Sequence, residues 1–132
     1  MSRYEPDPKS LRAHPVPDWF EDAKFGVFVH WSLSCIPAWA PRAGSLVDIV
    51  RADPHSFQHL SPYAEWYWNA LRIPGSPTAA HNAAVWGNAP YQDFRAPFDA
   101  MLQRWDPGPW ADLFAKAGAR YVVHVTKHHD GF

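Results

Sequence analysis

The chain has 132 residues, 47% of them hydrophobic and 16% aromatic, with twelve basic against thirteen acidic side chains and a formal net charge of −1. Such a composition excludes the disordered classes, which bury too little apolar surface to offset the entropy of ordering the chain. The balanced charge supplies no field for phosphate or anionic lipid, so neither nucleic acid nor a membrane surface is an expected partner.

Residues 1–18 contain Pro6, Pro8, Pro15 and Pro17 and no hydrophobic period, and they read as an extended lead-in to a domain portion spanning 19–132. Met1 through Phe20 hold no apolar run of the kind that a secretory signal or membrane span requires, which makes a cytoplasmic setting the expectation. The single cysteine, Cys35, fits a reducing compartment and reads as a small packed side chain. From Lys24 to Trp31 the chain is continuously apolar, β-branched and aromatic, which predicts a strand buried on both faces. A short helix is expected over Ala64 to Leu71, and an irregular loop over Ile73 to Pro90, where Pro74, Gly75, Pro77 and Gly87 interrupt any period.

The strongest helix signal comes later. Asp106 can cap an N-terminus, Pro107 and Pro109 suit a first turn, Trp110, Leu113, Phe114 and Ala117 follow helical spacing, and Gly118 ends the run. A second buried strand, Arg120 to Thr126, follows directly. Strand, helix, strand implies an α/β fold with a parallel sheet, although roughly eighty residues separate the first strand from the helix where a few would suffice. Two parallel strands cannot cover each other on both sides. The expected fold is therefore the N-terminal portion of a (β/α)8-like (TIM) barrel truncated after its second strand, since a complete barrel takes about 250 residues.

In α/β sheets ligands sit beyond the carboxyl ends of the strands, which singles out His30 and Trp31 after the first strand and His128, His129 and Asp130 after the second. Three chemistries are open to such a set. Imidazoles and Asp130 suit a divalent metal, but adjacent histidines at the end of an extended strand point to opposite sides, so one of the pair is expected to face the site. No HExxH, CxxC or DxD spacing accompanies them. Acid–base work at a glycosidic bond needs two carboxylates, and Glu65 with Asp130 is the pair on offer. Polyol binding uses the whole set: a neutral imidazole brings one donor and one acceptor, a carboxylate accepts from two vicinal hydroxyls, and Trp or Tyr rings stack on a sugar face. His124, within the second strand, reads as a satisfied core or interface histidine.

Longer strings carry a resemblance. The run from Trp19 through Lys24-Phe25-Gly26-Val27-Phe28-Val29-His30-Trp31, then Tyr63-Ala64-Glu65-Trp66-Tyr67, then Ala117-Gly118-Ala119-Arg120-Tyr121 leading to Lys127-His128-His129-Asp130-Gly131-Phe132, resembles the N-terminal part of the α-L-fucosidases of glycoside hydrolase family 29. The resemblance implies a retaining glycosidase on a (β/α)8-like barrel that removes terminal α-L-fucose from a fucosylated glycan or fucoside through a covalent glycosyl intermediate. It implies no metal and no other cofactor. His30, Glu65, Trp66, His128 and His129 match positions that hydrogen-bond the fucose hydroxyls in that family, and Phe28 and Tyr63 match the apolar patch that receives the sugar's methyl group. The family's nucleophile and acid/base carboxylates belong to later strands, so no catalytic residue is assigned here, Asp130 is not the nucleophile, and the chain alone is expected to be inactive. Departures from the family pattern are His124, at a position more often apolar, Ser32, at one more often glycine, and the unmatched stretch from Ile73 to Pro90. Two rival readings are a non-catalytic carbohydrate-binding module and a metal-dependent hydrolase built on His30, His128, His129 and Asp130. Oligomeric state has no signature in the sequence.

Overall fold

Within the expected lead-in, Asp7 precedes Pro8, a pairing that starts helices because the carboxylate accepts from free N–H groups while proline has none to leave unsatisfied. The computed structural model, which describes residues 4–132, shows this outcome. Asp7 Oδ1 accepts from the N–H groups of Lys9 at 2.9 Å and Ser10 at 3.1 Å, opening helix α1, Pro8–Arg12. The lead-in is thus not extended throughout, because a local cap overrides the absence of hydrophobic period; its first three residues lie outside the described ones. Helix α2, Asp18–Ala23, follows, and then strand β1, Gly26–Val29.

Five further helices come before the second strand: α3 (Leu46–Ala52), α4 (Tyr67–Leu71), α5 (Pro77–Trp86), α6 (Arg95–Leu102) and α7 (Gly108–Lys116). Three 3₁₀ turns, Leu33–Cys35, Ala64–Trp66 and Tyr91–Phe94, join them, the last two leading straight into α4 and α6. Strand β2 is Tyr121–His124. The long stretch between β1 and α7 is therefore mostly helical, and α5 occupies the segment expected to be an irregular loop. Its start and stop are both written locally. Ser76 Oγ accepts from Ala79 N–H at 3.0 Å, Pro77 takes the first helical position, and Gly87 ends the helix at φ +61°. The hydrophobic period is missing because the buried positions of α5 are polar, Thr78 and Asn82.

β1 and β2 form a two-stranded parallel sheet, with Phe25 O accepting from Arg120 N–H at 2.9 Å and Val29 O accepting from Val125 N–H at 3.0 Å. Neither strand is buried on both faces as the apolar runs suggest: Phe28 is 63% and Val122 50% exposed. Parallel strands lose their solvent contact only when helices and further strands cover them, and a pair leaves one edge of each strand unpaired. Among the described residues no helix is long and apolar enough to cross a membrane.

The chain packs as two compact units. One comprises the residues up to Val27 together with Gly108–Val123. Its aromatic contacts centre on Tyr121, whose ring lies 6.1 Å from Trp19 and 5.4 Å from Phe20, centroid to centroid. The same ring explains Gly26, since any side chain there would collide with it. Helix α7 ends as its sequence predicts, with Gly118 at φ +89° and Ala119 N–H donating to Phe114 O at 3.0 Å.

The other unit comprises Phe28–Pro107 and His124–Phe132. Leu33, Tyr67, Tyr91, Phe94 and Phe98 form its buried core, and Trp31, Trp39, Trp68 and Phe132 pack around them. The aromatic excess is thus partly a packing solution: short helices separated by prolines bring few side chains each, and large rings fill the space between them.

Candidate functional site

Val125 makes the last ladder bond of β2, and the chain then bends and turns. Gly131, at φ +75°, lets its N–H reach back to His128 O at 3.0 Å, closing a turn over His128 to Gly131. Outside an extended strand the rule that neighbours point to opposite faces lapses. The rings of His128 and His129 accordingly meet at 4.2 Å and 60°, side by side where an extended strand would have parted them.

From this pair the contacts run both ways. His128 lies edge-on to His30 at 4.5 Å and 79°, and His30 in turn lies 5.6 Å from Phe28. His129 lies 4.8 Å from Trp66, whose far contact is Phe57 at 5.1 Å. Phe28, His30, His128, His129 and Trp66 thus form one unbroken row of rings drawn from three separate parts of the sequence. A recess of about 210 Å³ opens beside it, lined by Trp66, Trp68, Asn69, Arg72 and His129. Glu65 is half-buried in the 3₁₀ turn that carries Trp66. Tyr63 precedes that turn, 42% exposed, and no ring contact joins it to Phe28 among the described residues.

The electrostatics favour neutral imidazole. Removal from water holds His128 below its ordinary pKa of 6.5, the neighbouring His129 and His30 push the same way, and the charges of Glu65 and Asp130 oppose them. Its Nδ1 is buried and meets no hydrogen-bond partner among the described residues. Neutral imidazole keeps both a donor and an acceptor, which is what a hydroxyl-rich ligand needs.

Other residues singled out by the sequence go elsewhere. Both carboxylate oxygens of Asp130 are engaged within the protein, Oδ2 accepting from Tyr91 OH at 2.6 Å and Oδ1 from Phe132 N–H at 3.1 Å. Trp31 packs on Phe98 at 6.3 Å and Trp105 at 4.2 Å. His124 is exposed rather than a core histidine, with its ring 6.1 Å from Trp31. Cys35 is likewise exposed: the tight turn Leu33–Cys35 buries Leu33 and Ser34 and leaves the third residue outside. Ser32 is buried at φ −150°, extended backbone that requires no glycine, with its Oγ 2.9 Å from Ser34 Oγ. No group of three or more His, Cys, Asp or Glu among the described residues is placed to hold a metal ion. Tyr91 is the residue that sequence reasoning missed; its partner lies 39 positions away, and no local signal announces such a contact.

A parallel strand pair with imidazoles clustered beyond its carboxyl ends, and an indole and a carboxylate nearby, has the position and the donor–acceptor set of a ligand site in an α/β protein. Comparison with known proteins narrows the class. The family model described as Alpha-L-fucosidase matches residues 1–132. Tissue alpha-L-fucosidase of Mus musculus is 38% identical over 98% of this chain and 24% of its own length, and alpha-L-fucosidase of Dictyostelium discoideum is 34% identical over the same shares. The Thermotoga maritima alpha-fucosidase solved in complex with fucose is 48% identical, with a TM-score of 0.80 over 98% of this chain and 28% of that one. The chain belongs to the alpha-L-fucosidase family. It spans about a quarter of the length of the curated relatives it matches.

Proposed function

We propose that this chain supplies the fucose-binding subsite of a retaining α-L-fucosidase, a glycosidase acting on terminal α-L-fucose of a fucosylated glycan or fucoside. The observation that carries the reading is the row of rings from Phe28 through His30, His128 and His129 to Trp66, with the charge of Glu65 felt at His128. Fucose is a 6-deoxy sugar, so a selective pocket pairs a polar rim for its hydroxyls with a dry wall for its methyl group. His30, His128, His129, Glu65 and Trp66 make the rim, and Phe28 and Tyr63 the wall. The orphaned Nδ1 of His128 is the kind of buried polar atom that a ligand hydroxyl satisfies. Most of the discrimination falls to the polar groups, because a methyl contact is worth about 1–3 kcal/mol whereas unpaired site groups reject a wrong sugar more strongly.

In this reading β1 and β2 are the first strands of a (β/α)8-like barrel, and the nucleophile and acid/base carboxylates come from strands beyond Phe132. Support comes from the family membership and from the share of each relative that the chain covers. The 132-residue chain is expected to bind L-fucose, seen as shifts of the His128 and His129 imidazole signals, and not to hydrolyse an aryl α-L-fucoside. Turnover by the purified chain that disappears in Glu65→Ala would overturn the assignment of catalysis to other residues, and fucose leaving every imidazole signal in place would overturn the subsite.

A further inference from the structure

We infer that Tyr91 and Asp130 are positioning residues, a buried phenol and carboxylate that together hold the turn carrying His128 and His129. The inference deepens the fucose-subsite reading and rests on it only for what the turn binds.

Asp130 is the strand-end carboxylate left without a role in sugar binding, and its geometry supplies one. Both of its oxygens are taken up inside the protein, Oδ2 by the Tyr91 hydroxyl at 2.6 Å and Oδ1 by the N–H of Phe132 at 3.1 Å. The second bond spans only two residues and shapes the turn, whereas the first spans 39 and ties the turn to a different part of the fold. Tyr91 is itself closely packed. It is 3% exposed, its ring stacks on Trp68 at 5.6 Å and 15°, and Phe94 meets it edge-on at 5.9 Å. The buried hydroxyls of Ser32 and Ser34 lie against the phenol as well. The hydroxyl therefore presents a fixed donor, and the turn must bring Asp130 to it. His128 and His129 immediately precede Asp130, and their ring planes follow from where that carboxylate is anchored. Charge-assisted hydrogen bonds to a carboxylate are short and directional, which suits a positional role.

The test uses the 132-residue chain and two variants, Tyr91→Phe and Asp130→Asn, with Tyr67→Phe as control because it removes another buried phenol bond, to Asn82, that does not reach the turn. In ligand-free protein both variants are expected to displace the His128 and His129 imidazole signals, and to weaken L-fucose binding roughly tenfold, while Tyr67→Phe leaves the signals in place. A merely stabilising role predicts the same spectrum for all three. Should Tyr91→Phe fail to fold, Asp130→Asn decides, since it preserves size and one acceptor. Unmoved imidazole signals in Asp130→Asn, or equal displacement in Tyr67→Phe, overturn the inference. If the unsubstituted chain binds no fucose yet the signals still move, the positioning role stands and the sugar reading falls.

Discussion

The phenol of Tyr67 donates to Asn82 Oδ1 at 3.0 Å, and the amide of Asn82 passes the connection on to Ala89 O at 3.0 Å, so that α4, α5 and the segment before Tyr91 share one buried chain of hydrogen bonds. Burial raises the Tyr67 pKa to about 12. Tyr67→Phe leaves the Asn82 oxygen without its donor and is expected to cost about 1–3 kcal/mol in urea unfolding. The folded state holds the phenol proton at pH values where the unfolded chain, titrating near 10, has released it. Stability is therefore expected to fall as pH rises from 10 towards 12, and the variant flattens that slope.

His128 gives the opposite dependence at the acid end. Its folded pKa lies below 6.5, so between the two values the unfolded chain binds more protons than the folded one. Stability is expected to be level above pH 6.5 and to decline as pH falls below it. Imidazole titration by NMR should place the His128 midpoint below 6.5, and His128→Asn should remove its share of the acid slope. A His128 midpoint above 6.5 would refute the neutral imidazole on which the binding geometry depends.

The core rests on a few large rings. Phe94, 2% exposed, meets Tyr67, Trp86 and Tyr91 at ring distances of 6.0, 5.1 and 5.9 Å. Phe94→Ala is expected to cost about 3–5 kcal/mol, read from chemical denaturation. A loss below about 1 kcal/mol would mean that these rings do not form a shared core.

Phe28 tests function apart from stability. Its side chain is 63% exposed, so Phe28→Ala should change the stability of the chain by less than about 0.5 kcal/mol. Fucose affinity should fall by about 1–3 kcal/mol, while affinity for L-galactose, which carries a hydroxyl where fucose has hydrogen on C6, falls less. Calorimetric titration with both sugars separates a methyl wall from a general loss of binding.

Much of this was legible in the chain itself, for reasons that are local. Continuous apolar runs marked β1 and β2, the spacing of Trp110, Leu113 and Phe114 with Gly118 behind them marked α7, and the strand-end position of the histidines marked the candidate site. The helix α5 was also written locally, in Ser76, Pro77 and Gly87, but its buried face is polar, and a search for apolar period passes over it.

What only the tertiary structure decided is where side chains go once the chain leaves regular structure. Alternation along a strand predicts the two histidines on opposite faces, and the turn closed by Gly131 sets their rings against each other. Residue type makes Asp130 a candidate for chemistry, and a tyrosine 39 positions earlier takes up one of its carboxylate oxygens. Sequence by itself determines periods, caps and motifs because these act over a few residues. Orientation at the end of a strand depends on partners brought together by folding, and no short-range rule encodes them.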